Sequence, residues 1–381
     1  MSRPLFQALG QLHRLWYWAV PCARGFGQTR RGTSPENIAR MERIKASVVG
    51  LGYWGPNLAR NFQVSDDYQL VGLCDANPAR LTKVGENYPW AQRFSSIDDL
   101  LKNVQSDLIA IATPVASHHG LVKTALQAGC HVLCEKPLAS NLAEANDLVD
   151  TAARTARRLF VDHSFIYTGA VRALRELYKS QTLGDLYYVD SVRINLGLFQ
   201  PDVDVIWDLA PHDVSIIDYI VGSRVRRVSA VGSSHNPRGT ADVSYLTLEY
   251  ENGLVSHLHL SWLSPVKMRR MIFAGTKSSA IYDDLEPSEK VKIYDHGVDF
   301  EVSDLEVRKQ VLVNYRRGDM RAPALDNKEA LATEMREIAA ALRGGSVVPA
   351  TGNEGLQGVR VLDAATRSFA SGGAPIELGE L

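Results

Sequence analysis

The chain has 381 residues, of which 45% are hydrophobic and 22% charged, and its formal net charge is −1. This length allows two domains with separate cores, and the near-neutral charge gives no reason to expect nucleic acid as a partner. No apolar run approaches the ~20 residues that a membrane helix needs, so we expect a cytoplasmic protein with no membrane partner. Four cysteines are too few and too irregularly spaced for a disulfide framework, and we expect no metal site.

Residues 1–40 differ in composition from the rest of the chain. They contain six arginines, no lysine and one acidic residue, Glu36. Such a segment is typical of a transit peptide, and a start codon placed too far upstream would look the same. We favour the second alternative, because MERIKASVVGLG from Met41 has a short charged lead followed by a strand. In either case we expect 1–40 to form a leader that contributes nothing to the core.

A glycine-rich motif, G-L-G-Y-W-G, follows the first apolar run, IKASVVG at 44–50. Its three glycines have the G-x-G-x-x-G spacing, which permits a tight turn, a close approach of backbone amides to a pyrophosphate, and close packing of the next helix. Pro56 falls in the first turn of that helix, whose N-terminus attracts phosphate. The motif residues that we expect to bind a dinucleotide are Gly50, Gly52, Tyr53, Trp54 and Gly55.

The next apolar run, YQLVGLCD at 68–75, ends in an acidic residue. Asp75 stands twenty residues after Gly55, where a carboxylate accepts hydrogen bonds from the adenosine ribose hydroxyls. It would repel a 2′-phosphate, and the nearest following arginine, Arg80, lies inside the next predicted helix. We therefore expect the cofactor to be NAD rather than NADP. The alternative is an aspartate at a strand end that faces water.

Strand and helix patterns continue to alternate up to residue 163 and predict a doubly wound parallel (Rossmann) sheet over 41–163. The later predicted elements are strands at 106–114, 131–137 and 159–164 and helices at 115–129 and 140–158. Ligands of such sheets bind beyond the carboxyl ends of the strands. The segments Thr113-Pro114 and Glu135-Lys136-Pro137 both stand at such ends. From the residues alone, Lys136 is equally well explained as part of a site or as a solvated loop lysine.

The segments VVGLGYWG, ATPVASH and GCHVLCEKP together resemble the glucose-fructose oxidoreductase / inositol dehydrogenase / rhizopine catabolism family of NAD(P)-dependent oxidoreductases. The resemblance runs from about Ile44 to the C-terminus, and EKP is among the most specific marks of that family. It implies that Lys136 contacts the reacting hydroxyl. The residues that it places on the cofactor side are Thr113, Pro114, His118 and Glu135, the last near the nicotinamide ribose.

Beyond residue 163 strands follow one another with few helices between them. VSYLTLEY (243–250) and LVSHLHLSW (254–262) flank Glu-Asn-Gly, a hairpin signal, and more strands are predicted between 269 and 297. The pattern predicts an α/β substrate-binding domain over 164–381 with a mostly antiparallel open sheet and helices on one face. We expect the other face to join a homodimer or homotetramer, and His257 and His259 to belong to that surface rather than to a metal site.

The segment IWDLAPHDVSIIDYIVG at 206–222 predicts an amphipathic helix that begins between Asp208 and Pro211. Residues four apart share a helix face, so Asp208 could fix the tautomer of His212 and support its charged form, as a general base needs. The alternative is an acid at a helix start with a surface histidine. In the family that the chain resembles, an Asp and a His at this spacing act with the EKP lysine, which implies catalytic roles for Lys136, Asp208 and His212.

Three functions fit this pattern. The first is a dehydrogenase of a secondary hydroxyl on a sugar or sugar nucleotide, for which our best expectation is the 3-hydroxyl of a UDP-N-acetylhexosamine in surface polysaccharide synthesis; a free polyol such as inositol is an alternative substrate. The second is an NAD-dependent glycosidase, and the third a non-enzymatic NAD-gated sensor, which would need no base. For the dehydrogenase we expect the rate to rise through a histidine pKa on the order of 6–7.

Overall fold

The computed structural model describes residues 42–197, 199–200, 203–301, 312–345 and 348–379. The leader expected at 1–40 lies outside these residues. From Glu42 onward the chain forms one compact unit. No helix in the described ranges is long and apolar enough to cross a membrane.

The first sheet of the described chain has six parallel strands. They are β1 (Ile44–Val49), β2 (Tyr68–Cys74), β3 (Gln92–Phe94), β4 (Leu108–Ile111), β5 (His131–Glu135) and β6 (Leu159–Asp162). Their order is β3-β2-β1-β4-β5-β6, with every pairing parallel. The connecting helices are α1 (Gly55–Val64), α2 (Pro78–Gly85), α3 (Ile97–Asn103), α4 (His118–Gln127) and α5 (Leu142–Arg154). The predicted doubly wound sheet is confirmed, and its strand order reverses between β1 and β4, where ligands of such sheets bind.

The second sheet is mostly antiparallel, as the sequence predicts. Its strands are β7 (Leu186–Leu196), β8 (Val225–Ser233), β9 (Val243–Tyr250), β10 (Val255–Ser261), β11 (Leu263–Gly275), β12 (Ser279–Asp283), β13 (Val291–Tyr294), β16 (Met320–Arg321) and β17 (Ile376–Glu377), while β14 (Gly297–Glu301) and β15 (Leu312–Arg316) pair separately. The order is β16-β13-β12-β11-β7-β10-β9-β8-β17, and β7 and β10 are parallel neighbours. The expected hairpin joins β9 and β10, with Val255 opposite Glu249.

Helices α6 (Gly169–Lys179) and α7 (Val205–Val221) share an apolar core with this sheet. Helix α7 begins earlier than the sequence predicts. The Asp204 side chain caps it by accepting the Trp207 backbone N–H at 3.0 Å, and Pro211 lies inside the helix rather than in its first turn. The prediction failed because proline is most common in a first helical turn, whereas here the aspartate cap fixes the start.

Two helices near the C-terminus return to the first sheet. They are α8 (Ala330–Leu342) and α9 (Gly352–Ala370). Leu331 and Met335 of α8 join the core cluster around β1, and the Tyr68 hydroxyl donates to the Met335 carbonyl oxygen at 2.7 Å. Leu356 of α9 packs in the cluster that contains Val161 of β6. Both helices therefore help to fix the strand ends that carry the site.

Candidate active site

A cleft of about 1230 Å³ opens at the carboxyl ends of the parallel strands. It runs from Asp75, Asn77 and Arg80 at one end, past the glycine motif, to Glu135 and Lys136 at the other. The cleft lies where the strand order reverses, so the sheet topology by itself predicts a ligand-binding site there.

The three glycines of the motif have different surroundings. Gly50 has φ +92°, and a Cβ there would meet the Ala112 carbonyl oxygen at 2.6 Å; a Cβ on Gly55 would collide with the Gly50 carbonyl oxygen. Gly52 faces open space, with Arg80 as its nearest neighbour at 3.9 Å. The first and third glycines therefore allow the turn and the helix contact, while the second leaves room for a phosphate group. The motif fits a dinucleotide.

The carboxylate of Asp75 anchors the glycine loop. One oxygen accepts the Leu51 N–H and the other accepts the Asn77 N–H, both at 2.7 Å. The side chain is only 7% exposed, yet it lines the cleft. Each carboxylate oxygen can accept a second hydrogen bond, so these contacts leave acceptor capacity for the ribose hydroxyls that the sequence assigns to Asp75.

The residues after β4 divide into two groups. Thr113 and Pro114 line the cleft, with the Thr113 hydroxyl oxygen accepting the Ser117 O–H at 2.8 Å. His118 is buried behind them, where one ring nitrogen lies 2.8 Å from the Thr113 carbonyl oxygen and the other 2.9 Å from the Pro137 carbonyl oxygen. Both ring nitrogens of His118 thus face backbone carbonyl oxygens rather than the cleft. His118 links the segments that follow two neighbouring strands and can affect a cofactor only through them.

Lys136 meets Asp208 across the cleft from the glycine motif. The Lys136 ammonium donates to the Asp208 backbone carbonyl oxygen at 2.8 Å and lies 3.4 Å from a carboxylate oxygen of the same residue. The Trp262 indole N–H donates to the other carboxylate oxygen at 3.0 Å. The two charged side chains, which are 16% and 20% exposed, are thus held together by residues just after β5 and β10 and by helix α7.

His212 lies one helical turn after Asp208, with its ring edge-on to Phe165 at 5.0 Å between centroids. Among the described residues no hydrogen bond joins His212 to Asp208, whose carboxylate is instead held by Lys136 and Trp262. The expected tautomer-fixing pair is therefore corrected: the two residues share a helix face, but donors from other elements contact the two oxygens of the Asp208 carboxylate. Burial, together with the positive charges of Lys136 and Arg193, holds the pKa of His212 well below its usual range.

Several residues of the site were not found from the sequence. Arg193 donates twice to one oxygen of Asp213, at 2.8 and 2.6 Å, in a buried ion pair. Its guanidinium lies over the Phe165 ring at 4.8 Å, and that of Arg269 lies over the same ring at 6.0 Å. The sequence did contain one indication. Arg193 falls at an inward-facing position of the alternating strand β7, and a buried guanidinium requires an acidic partner on a neighbouring element.

Family models match two segments of the chain. A model described as an oxidoreductase family with an NAD-binding Rossmann fold matches residues 44–163, and the GFO/IDH/MocA C-terminal domain matches residues 171–281. The chain belongs to the GFO/IDH/MocA family. As a member of this family, it is an NAD-dependent oxidoreductase that acts on CH–OH groups. The resemblance of its three motifs to that family is thereby confirmed.

Individual relatives of this GFO/IDH/MocA chain have different substrates. It is 30% identical to the UDP-N-acetylglucosamine 3-dehydrogenase of Acidithiobacillus ferrooxidans over 61% of this chain and 71% of that protein. It is 27% identical to a D-apiose dehydrogenase of Paraburkholderia graminis over 62% of this chain, spanning 64% of that protein's length. A solved structure of the A. ferrooxidans UDP-N-acetylglucosamine 3-dehydrogenase matches with a TM-score of 0.73 and 25% identity, covering 87% of this chain and 99% of that one.

Proposed function

We propose that this oxidoreductase removes two electrons from a secondary hydroxyl of a sugar nucleotide, the 3-hydroxyl of a UDP-N-acetylhexosamine, with Lys136, Asp208 and His212 as its catalytic residues. The observation that carries the proposal is the contact of the Lys136 ammonium with the Asp208 carbonyl oxygen at 2.8 Å, with Lys136 lining the cleft and the half-buried His212 one helical turn after Asp208. An ammonium group and a neutral imidazole that both reach the same hydroxyl form a suitable pair for deprotonating an alcohol.

The residues would divide the work as follows. The Lys136 ammonium stabilises negative charge on the substrate oxygen and so lowers the pKa of the hydroxyl. The depressed pKa of His212 keeps its imidazole neutral near pH 7 and able to take the hydroxyl proton. Asp208 keeps the ammonium in place rather than acting on the imidazole. NAD, when bound, supplies the two-electron acceptor.

The cofactor would lie along the cleft with its adenosine at Asp75 and its reactive end at Lys136. The residues proposed to hold it are Gly50, Gly52, Tyr53, Trp54, Gly55, Asp75, Thr113, Pro114, Glu135 and Lys136, with His118 acting through the two carbonyls that it contacts. Gly55 acts by letting helix α1 pack close to the turn.

A second opening beside the cleft supports a substrate larger than a free sugar. It measures about 350 Å³ and is lined by Phe199, Gln200, Asn236, Pro237, Arg238, Thr240 and Trp262. Gln200 also lines the cofactor cleft, and Trp262 hydrogen-bonds Asp208. The opening adds an aromatic and polar surface next to the catalytic residues, which suits the nucleotide part of a sugar nucleotide.

A substrate panel tests this proposal. With NAD present, UDP-N-acetylglucosamine or its uronic acid should give NADH absorbance, while inositol and apiose should give none. NADH from a free polyol alone would show a polyol dehydrogenase. Cleavage of a glycoside with NAD unchanged would show the glycosidase, and NAD binding without turnover of any compound would favour the sensor.

We also propose that the outer face of the second sheet joins two copies of this chain. The exposed aromatic and aliphatic side chains there include Tyr188, Tyr245, Val231 and Val255, which are between 39% and 52% exposed. Neighbouring strands bring them together, since Val255 lies opposite Tyr188 and Val231 opposite Tyr245. Light scattering should give the mass of a dimer or tetramer, and Tyr245→Lys should lower it; a monomeric wild type would contradict the proposal.

A further inference from the structure

Two acidic residues stand side by side at the ends of the central strands. Glu135 ends β5 and Asp162 ends β6, and the two are paired in register. In-register neighbours on parallel strands point to the same face of a sheet. Glu135 is half-buried and lines the cleft, whereas Asp162 is only 2% exposed. One carboxyl group therefore borders the cofactor cleft and the other lies directly behind it.

A third acidic residue, Glu334 of helix α8, lies beside Asp162. Glu334 is fully buried, and neither of its carboxyl oxygens has a hydrogen-bond partner among the described residues. The Asp162 Oδ1 atom and the buried Tyr167 hydroxyl also lack partners in the same described set. The other Asp162 oxygen accepts the Trp54 indole N–H at 2.6 Å. The cluster thus connects the glycine motif with α8, and it contains unsatisfied acceptors.

Three neighbouring carboxylates, of which Asp162 and Glu334 are buried, cannot all stay ionised, because like charges out of water repel strongly. Burial and the neighbouring Asp162 carboxyl raise the pKa of Glu135 and of Glu334 well above the usual range. A proton shared between Asp162 and Glu334 would give a partner to one of the unsatisfied oxygens on each carboxyl group.

The charged groups around the cluster do not neutralise it. Lys136, which follows Glu135 directly, contributes a positive charge, but it is bound to Asp208. His163, next to Asp162, is neutral near pH 7, because burial and Lys136 lower its pKa to about 4. Beyond Tyr167, Arg172 of α6 is paired with Glu337 of α8 at 2.7 Å.

We infer that Glu135, Asp162 and Glu334 share at least one proton in the cofactor-free protein, and that binding of oxidised NAD displaces it. The cluster borders the end of the cleft where Lys136 and Asp208 meet, which is where a reacting nicotinamide must lie. Oxidised nicotinamide carries a positive charge that reduced nicotinamide lacks, so it favours the ionised cluster. The inference rests on NAD binding and on no particular substrate.

Calorimetry of the full-length protein in two buffers with different ionisation enthalpies tests this inference. Titration with NAD⁺ near pH 7 should release protons, and titration with NADH should release clearly fewer. The Kd for NAD⁺ should fall as pH rises, by at most about tenfold per pH unit for one displaced proton. Equal release with both forms of the cofactor, or no release between pH 6 and 8, would overturn it.

The Glu334→Gln variant separates a shared proton from a purely structural contact. Glutamine keeps the size of the side chain and can donate to Asp162, but it removes one acid from the cluster. Proton release with NAD⁺ should therefore fall while NAD⁺ still binds. Glu176→Gln, at an exposed position of α6, is the matched control and should behave like wild type. Unchanged release in Glu334→Gln would contradict the shared proton.

Discussion

The Lys136 ammonium nitrogen lies 2.8 Å from the backbone carbonyl oxygen of Asp208, although the two residues are 72 positions apart in the sequence. Lys136 follows strand β5 of the parallel sheet, and Asp208 lies in helix α7 on the second sheet. Because the oxygen belongs to the backbone, the position of the ammonium depends on how α7 packs and not only on the Asp208 carboxylate. This contact brings the cofactor cleft and His212 to one place.

Replacement of Lys136 by methionine keeps most of the side-chain length and removes the charge. We expect kcat to fall by ~10²–10⁴, the usual contribution of a placed proton-transfer group, and the Kd for NAD to change much less than kcat, because Lys136 is one of many residues that line the cofactor cleft. Steady-state rates and a fluorescence titration with NAD would measure the two effects. Lys102→Met, at an exposed position of α3, is the control; a similar loss in the control, or none in Lys136→Met, would contradict the assignment.

The pH dependence should differ from that of an ordinary histidine. Because the pKa of His212 is depressed, its imidazole loses its proton at lower pH than an ordinary histidine does, so the rise in kcat/KM that this group causes should be centred below pH 6–7. The sequence alone led us to expect a rise at pH 6–7, because it does not reveal the burial or the cations near His212. Lys136→Met should raise the pKa of His212 and move the acidic limb of the profile to higher pH. A wild-type rise centred at pH 6–7 that disappears in His212→Asn would show that the pKa is not depressed.

Cofactor selectivity should depend on Asp75. Asp75→Ala should bind NAD more weakly, both through loss of the ribose contact and because Leu51 and Asn77 lose their acceptor. The preference for NAD over NADP should fall by roughly tenfold or more, the scale of one to two kcal/mol. Parallel titrations with both cofactors measure this ratio. Tighter binding of NADP than NAD by the wild-type protein would be inconsistent with a selective role for Asp75.

The buried pair of Arg193 and Asp213 should matter for stability. Asp213→Ala leaves the Arg193 charge buried without its carboxylate, which costs about 3–5 kcal/mol of unfolding free energy. Asp66→Ala breaks the exposed pair with Arg43 and should cost under about 1 kcal/mol. Urea unfolding of both variants provides the comparison. Equal losses of unfolding free energy in the two variants would show that the buried pair contributes no more to stability than the exposed pair.

The strand ends show how far the sequence determines the site. Gly50, Asp75, Thr113 and Lys136 could be placed beforehand, because each follows a recognisable strand and parallel strands end at one edge. The residues that contact the Asp208 carboxylate could not be predicted in this way. That carboxylate is held by Lys136 and Trp262, which are distant in sequence, so local spacing favoured His212. Glu334 was missed for the same reason, because only the return of helix α8 to the first sheet brings it beside Asp162.

Single-turnover NADH formation by His212→Ala with UDP-N-acetylglucosamine and saturating NAD tests the central claim most directly. We predict that the wild-type protein forms NADH and that His212→Ala forms it at a rate lower by ~10²–10⁴. The Kd for NAD should be the same in the variant as in the wild-type protein. A rate in His212→Ala near that of the wild type would contradict the assignment of His212 as the base. NADH from inositol but not from the sugar nucleotide would contradict the proposed substrate.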